Sequence, residues 1–485
     1  MKRCSTILFS ILALQIAVAQ DVAKFAETDI IGTARYVGMS GAMTAIGGDP
    51  TSAVLDNPAG LGLYQHLEAS ITLDLQLDRT WQNGVTQREH RNYFMPSQFS
   101  FVFPFRTDAG SRIVSHNLMF GYNRLKNYNR TYAASVNANT SITDVMTEMA
   151  NLAGTVRDDY GYKDASGDLY VYDDVWDNPN VGWLTALGYG TDRMQWDAVQ
   201  LGSTDSTFYA YHLPGEVIRQ DATVKETGYK NQFSLDYAMN IDDQWYVGLG
   251  LNIFSVDYDK KVYYGETYSN GTYLDLDHSL VCKGAGVSAS LGFLGRPTRW
   301  LRFGFGLHTP AACTMRYSHY SDATNGELSI GTPENRYTDK EFRMPLRLSL
   351  GLGLQLREMG LLSFQYNYAH YKNMRDVHSL RVGGELVFID KLYLNAGFAY
   401  EMERPQGDYV WFIQPTDVRT DTEFTNLYWT KNASVGFGYR GKYMIVQLAY
   451  ALRWQRIGLF PFDIAEPFNM RTMTHRMALT VAFHM

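Results

Sequence analysis

Residues 346–356 read Leu346-Arg347-Leu348-Ser349-Leu350-Gly351-Leu352-Gly353-Leu354-Gln355-Leu356. Every second residue is leucine. A strand turns successive side chains to opposite faces, so one face here is pure leucine. The other carries Arg347, Ser349, Gly351, Gly353 and Gln355. In a soluble sandwich a second sheet must cover the leucine face. In a membrane barrel lipid covers it, and the inner face is polar or bare.

The same period of two recurs outward from this segment. In 67–77, Leu67, Ala69, Ile71, Leu73, Leu75 and Leu77 alternate with Glu68, Ser70, Thr72, Asp74 and Gln76. About 14 such segments are present: 67–80, 97–106, 114–130, 228–240, 244–258, 277–293, 299–317, 344–356, 361–370, 379–389, 392–403, 428–440, 443–454 and 472–484. Short connections (107–112, 242–243, 295–297, 358–360, 390–391, 441–442) follow the even-numbered segments. Longer ones follow the odd-numbered, the longest being 131–229. Short periplasmic turns and long outer loops describe an outer-membrane barrel. The fold class is therefore all-β, a transmembrane antiparallel β-barrel of about 14 strands. Trp245, Trp300, Trp429 and Trp454 near strand ends suit the interfacial aromatic girdle, and Met485 closes the last strand.

Composition agrees. The 485 residues are 45% hydrophobic and 14% aromatic, too apolar for disorder. A net charge of −7 excludes a basic nucleic-acid footprint. Beyond the first 20 residues no uncharged run approaches the ~18 residues of a spanning helix. The start, with Lys2, Arg3, an apolar stretch over 7–19 and Ala17-Val18-Ala19, reads as a signal peptide covering 1–19. Cys4 leaves with it, and Cys282 and Cys313 remain in an exported chain. Strand parity puts Cys282 inward and Cys313 outward, which forbids a disulfide unless Pro310 shifts the register.

Residues 20–64 differ from the rest. They are rich in Gly and Ala and show no alternation: Ala34-Arg35-Tyr36-Val37-Gly38-Met39-Ser40-Gly41-Ala42, then Ala45-Ile46-Gly47-Gly48-Asp49, then Asn57-Pro58-Ala59-Gly60-Leu61. No Gly-Lys-Ser/Thr follows, so this is no phosphate loop. Together with about 14 strands, and with Arg302-Phe303-Gly304-Phe305-Gly306-Leu307 and Thr309-Pro310, this leader resembles the FadL-type outer-membrane transporters of long-chain fatty acids and aromatic hydrocarbons. The resemblance implies a 14-stranded barrel (65–485) whose lumen is plugged by an N-terminal hatch (20–64). The Asn-Pro-Ala motif falls on Asn57, Pro58 and Ala59, with Gly38 and Gly41 in the same gate element. It also implies a monomer in the outer membrane of a Gram-negative bacterium, with a hydrophobic small molecule and membrane lipid as partners.

In the longest loop, Ser141-Ile142-Thr143-Asp144 reads as a capping box. Ile142, Val145, Met146, Met149 and Leu152 follow at helical spacing. This amphipathic helix, with Trp183 and Trp196, is a candidate ligand-binding surface; the competing reading packs its apolar face on loop neighbours. Nine Asp between 157 and 197 read as a solvated loop rather than a calcium site. The eleven His show no metal-ligand spacing, so no metal or cofactor is expected. Asp74, Asp236, Arg302, Arg347, Arg381, Glu385 and Arg476 are predicted to point inward, paired with each other and with the hatch. No Ser/His arrangement suggests an enzyme. Two functions follow: passive uptake of hydrophobic molecules, or a surface receptor or adhesin (a haem receptor included) anchored by the barrel.

Overall fold

The computed structural model describes residues 24–82, 88–108, 110–196, 207–333, 336–357, 359–372, 375–389, 391–402 and 415–484. The signal peptide 1–19 with Cys4, hatch residues 20–23, Asp197 and Met485 lie outside the described residues.

Fourteen antiparallel strands form the wall: β1 (Glu68–Gln82), β2 (Arg88–Arg106), β3 (Ile113–Asn127, continued by Arg130–Ala138), β4 (Ile218–Ile241), β5 (Trp245–Thr267), β6 (Tyr273–Gly295), β7 (Leu301–His308 and Ala312–Thr324), β8 (Arg336–Arg343 and Leu346–Gln355), β9 (Gly360–His370), β10 (Val377–Ile389), β11 (Leu392–Glu401), β12 (Phe424–Arg440), β13 (Met444–Phe460) and β14 (Phe468–His484). Each pairs with its sequence neighbour, and β14 pairs with β1 from Glu68↔His484 to Gln82↔Met470, closing the barrel. Closure satisfies every strand edge inside the membrane.

Parity holds along the wall. Leu350 and Leu352 are 43% and 44% exposed on the outer face, whereas Asp74 and Gln76 are fully buried inside. The connection rule holds only in part. β5 and β6 run past the expected loop and meet in a short turn over 268–272, while β3 and β4 shorten the longest loop to 139–217. Those two outer loops are in part wall.

A break crosses β7 and β8. Pro310 and Pro345 both fall in the gap between the partners His308↔Arg347 and Ala312↔Arg343. Neither has an N–H to give the ladder. Against β6 the register moves from Ser290↔His308 to Val287↔Ala312, four residues of β7 facing three of β6. That one-residue bulge reverses the parity beyond it. Cys313 therefore faces inward, not outward, and packs in one buried cluster with Cys282, Phe254 and Met315.

Residues 139–196 and 207–217 fold into a cap over the outer mouth. It contains α3 (Ile142–Ala153), α4 (Trp183–Gly190) and two short antiparallel strand pairs, Gly161–Lys163 with Leu169–Val171 and Met194–Trp196 with Phe208–Ala210. The capping box of α3 is complete at Ser141 and Asp144. Glu266 of β5 adds a wall anchor, accepting from Ile142 N at 2.8 Å and Ser141 Oγ at 2.5 Å.

Leu350→Arg places a charge against lipid and should cost roughly 2–4 kcal/mol of barrel stability. Ser349→Arg, one residue along and facing the lumen, should avoid that lipid penalty. The two variants' unfolding midpoints in vesicles check the order.

Candidate functional site

Residues 24–64 lie inside the barrel. Their elements are set by caps. Thr33 caps α1 (Ala34–Gly38), and Asp49 caps α2 (Pro50–Leu55), with Pro50 at the first helical position. Asn57 caps a 3₁₀ turn (Pro58–Leu63) by accepting from Ala59 N at 3.0 Å, with Pro58 following it. An acceptor side chain followed by proline is an efficient start, because proline's missing N–H is one that a helix start leaves unpaired anyway. The Asn57 amide also donates to Thr44 O (2.8 Å) and Phe293 O (3.0 Å), tying the turn to the wall.

The wall meets this segment with rows of glycine. Gly248, Gly292 and Gly306 are register partners across β5, β6 and β7. A Cβ on Gly248 would lie 2.4 Å from Ala59 N, one on Gly292 2.2 Å from Asn57 Oδ1, and one on Gly306 1.7 Å from Asp56 O. A second row, Gly304↔Gly351, faces Thr44 and Ala45, and a third, Gly383↔Gly397, faces Met39. Here backbone lies on backbone. Gly38 continues the contact against Gly436. At Gly41 (φ +71°) a Cβ would meet Arg381 Nη1 at 2.5 Å.

Ion pairs fix the segment's other side. Arg35 meets Glu385 at 2.8 Å, with both side chains buried. Asp29 is held by Lys126 (2.8 Å), Arg453 and, at 3.8 Å, Arg476, which also reaches Asp74 at 3.3 Å. Burial alone would raise the Asp29 carboxyl; the three cations hold it well below the usual range. Asp56 differs: burial pushes it up to about 6, and Arg381, 3.6 Å away, offsets only part of that rise. Lys24 pairs with Glu226, and Phe25 stacks edge-on to Tyr128 and Tyr258.

The lumen has two characters. On the β3–β8 side Tyr128, Phe254, Val256, Tyr258, Leu280 and Met315 pack around Phe25 in a buried apolar cluster. On the β9–β14 side lies a small cavity of about 50 Å³ lined by Asp29, Arg381, Asn432, Arg453 and Arg476 among others. A neighbouring cavity of about 70 Å³ includes Asp56, Arg347 and Tyr371. Both are lined by Thr28, Ser379, Arg381 and Glu401, so the strip around Thr28 separates them. From outside, residues 419–423 turn inward and are buried. Asp421 meets Lys260 at 3.1 Å and Arg419 at 2.8 Å, and Glu423 meets His278 at 2.8 Å.

The predicted inward charges Asp74, Asp236, Arg302, Arg347, Arg381, Glu385 and Arg476 all face the lumen side. Arg302 donates to Ile46 O and to Gln355. Asn57, Pro58 and Ala59 lie on the glycines of β5, β6 and β7, and Gly38 lies on Gly436 of β12, whereas Gly41 lies against Arg381 and Tyr36. Ile142, Val145, Met146 and Met149 are buried in the cap's core with Leu184, Leu187, Tyr264 and Leu459, while Leu152 is 62% exposed at the surface. Trp183 is buried and donates Nε1 to Trp176 O at 3.0 Å; Trp196 packs on Phe208. Sequence reasoning missed Asp29, Arg35 and Glu266. Arg35 was visible as a lone charge in an apolar run, whereas nothing local distinguishes Glu266.

No protein-family profile and no curated protein matches the sequence. Among solved structures the chain is similar to a Pseudomonas aeruginosa FadL homologue, at TM-score 0.52 and 12% identity over 94% of this chain and 99% of that one. It is similar to the P. putida toluene transporter TodX at TM-score 0.52 and 12% identity, over 94% and 99%. These likenesses establish a shared fold, the one expected from the Asn57-Pro58-Ala59 leader and the strand count.

Two outcomes follow from the geometry. Arg35→Met leaves Glu385 buried and unpaired and should cost about 3–5 kcal/mol in seating the segment, whereas Arg35→Met with Glu385→Leu should recover most of it; protease protection of 24–64 reads both. On the cap, the hydrogen bond from His212 Nε2 to Asp144 Oδ1 (2.7 Å) raises the imidazole's pKa. The folded value lies above the unfolded one, ~6.5. This support is fully present below that pH and is lost as pH rises through the folded value. Hydrogen exchange in α3 should quicken over that rise, and His212→Gln should abolish the dependence.

Proposed function

We propose that this outer-membrane barrel is a passive transporter for hydrophobic small molecules, in which residues 24–64 act as the gate. The observation that carries the reading is a complete wall whose lumen is occupied by a separate segment. That segment is seated by glycine contacts and ion pairs and contributes no strand. The wall's ladder closes without it, so its removal leaves a barrel. A FadL homologue and a toluene transporter with the same fold support the choice of cargo.

The lumen's two sides favour an amphiphile over a bare hydrocarbon. Apolar burial contributes roughly 25 cal/mol per Å², so the cluster around Phe254 and Tyr258, filled here by Phe25, suits a long chain once Phe25 moves aside. The polar cavity beside Arg381 and Asn432 suits a head group. Cargo would follow the apolar side past Phe25 and leave when the strip around Thr28 moves. The protein acts as a monomer without an energy source. Ile142, Val145, Met146, Met149 and Trp183 hold the cap over the mouth, so ligand contact with them requires the cap to part. The receptor or adhesin reading is favoured by one observation, the cap's dense core.

Deleting residues 21–60 should leave a folded barrel and open a water-filled pore, seen as conductance in planar bilayers. Near-zero conductance from the inserted mutant would count against a gate. Met146→Asp with Met149→Asp buries charge in the cap core. Fatty-acid flux into vesicles should change while the amount of folded barrel does not. If the unaltered chain moves no hydrophobic compound but binds a cell-surface partner, the anchor reading replaces the transporter.

A further inference from the structure

The outer face of the wall, opposite the lumen, carries a pattern unrelated to transport. Near the outer ends of β12, β13, β14 and β1, two rows of register partners face outward. One runs Trp429↔Arg456↔Arg471↔Trp81. The next runs Tyr400↔Lys431↔Trp454↔Met473↔Arg79. Four cations and four aromatic rings thus interleave, and neither row contains a carboxylate. Lys431 sits 4.8 Å from the Trp429 ring centroid, and Arg456 5.3 Å from that of Tyr428. Among the described residues no carboxylate pairs with Lys431, Arg456, Arg471 or Arg79.

Arg456 and Arg471 are direct cross-strand partners. Like charges so placed destabilise a sheet. Elsewhere on this face the same opposition is neutralised: Arg316, opposite Lys283, pairs with Asp339 at 2.9 Å. Below the rows comes Ala433↔Leu452↔His475↔Leu77, and then the face turns apolar, with Val435↔Tyr450↔Met477↔Leu75 and Phe437↔Leu448↔Leu479↔Leu73. Cations therefore stand at the upper edge of the acyl-chain belt, at the height of outer-leaflet head groups.

We propose that this face binds a phosphorylated glycolipid of the outer leaflet. Its phosphates bridge Arg456 and Arg471 with Lys431 alongside, and its acyl chains lie on the Val435–Leu75 and Phe437–Leu73 rows. Arginine pairs bind phosphate by charge-assisted, bidentate hydrogen bonds, and the flanking indole and phenol rings suit the interface. The charge complementarity selects a phosphate-bearing head group. The site takes no part in gating and stands whether or not the lumen carries cargo; it rests on the outer-membrane placement alone.

The test uses the folded full chain in detergent, titrated with diphosphoryl lipid A, its dephosphorylated form, or phosphatidylglycerol, with bound lipid counted by native mass spectrometry. Diphosphoryl lipid A should bind best, and the variant Lys431→Gln/Arg456→Gln/Arg471→Gln should bind it about tenfold or more weakly. In lipid-free detergent, Arg456→Gln should melt no lower than the unaltered chain, since it removes a like-charge contact. Lipid A should raise the melting temperature of the unaltered chain but not of the triple variant. Equal binding of the dephosphorylated lipid or of phosphatidylglycerol, unchanged binding by the triple variant, or a lower melting temperature for Arg456→Gln would each overturn the assignment.

Discussion

Everything inside this barrel depends on rows of glycine where the wall meets the backbone of the N-terminal segment. A lumen lined by ordinary side chains leaves several ångströms between two backbones. Across β5, β6 and β7 the row Gly248, Gly292 and Gly306 removes that spacing, so Asp56, Asn57 and Ala59 rest on the strands themselves. The contact is dry and short-ranged. It leaves no room for one added carbon. The cost is borne by the strands, since glycine is entropically poor in a sheet. Pairing on both edges and lipid on the other face offset that weakness.

The second constraint is electrostatic. Asp29, Arg35 and Asp56 are buried charges on a segment that makes no strand, and each meets a cation or anion of the wall. Removing one partner of such a pair is costly, though the pair itself adds little net stability. These pairs specify where the segment sits more than how tightly it is held. The two kinds of contact divide the segment. From Ala34 onward it rests largely on glycine and backbone, whereas 24–30 is held mainly by side-chain charges and by Phe25.

How much was legible beforehand follows from this physics. Alternation over 346–356 and 67–77 gives faces directly, because a strand's period is fixed. It therefore located all fourteen strands and the inward charges. It failed at Cys313, where a bulge beside Pro310 adds one residue and reverses every face beyond it. It also ended the wall too early at 258 and 277, because β5 and β6 project past the membrane, where no lipid demands an apolar face. The Asn57-Pro58-Ala59 motif marked the segment, and Gly351 and Gly353 already stood out on the polar face. Their purpose was hidden, since it lies in residues three hundred positions away. The capping box of α3 was local and therefore readable. Which way its apolar face pointed depended on the whole cap.

Ala34 N donates to Thr480 Oγ1 across 446 positions, and Arg476 of β14 reaches both Asp29 and Asp74 of β1. The N-terminal segment thus spans the junction of the first and last strands. Contacts of such separation form late, because the loop entropy between them must be lost first. Those seam contacts exist only after the last strand has arrived. The segment that comes first in the chain is therefore the last to reach its final place, and its seating reports that the cylinder is whole.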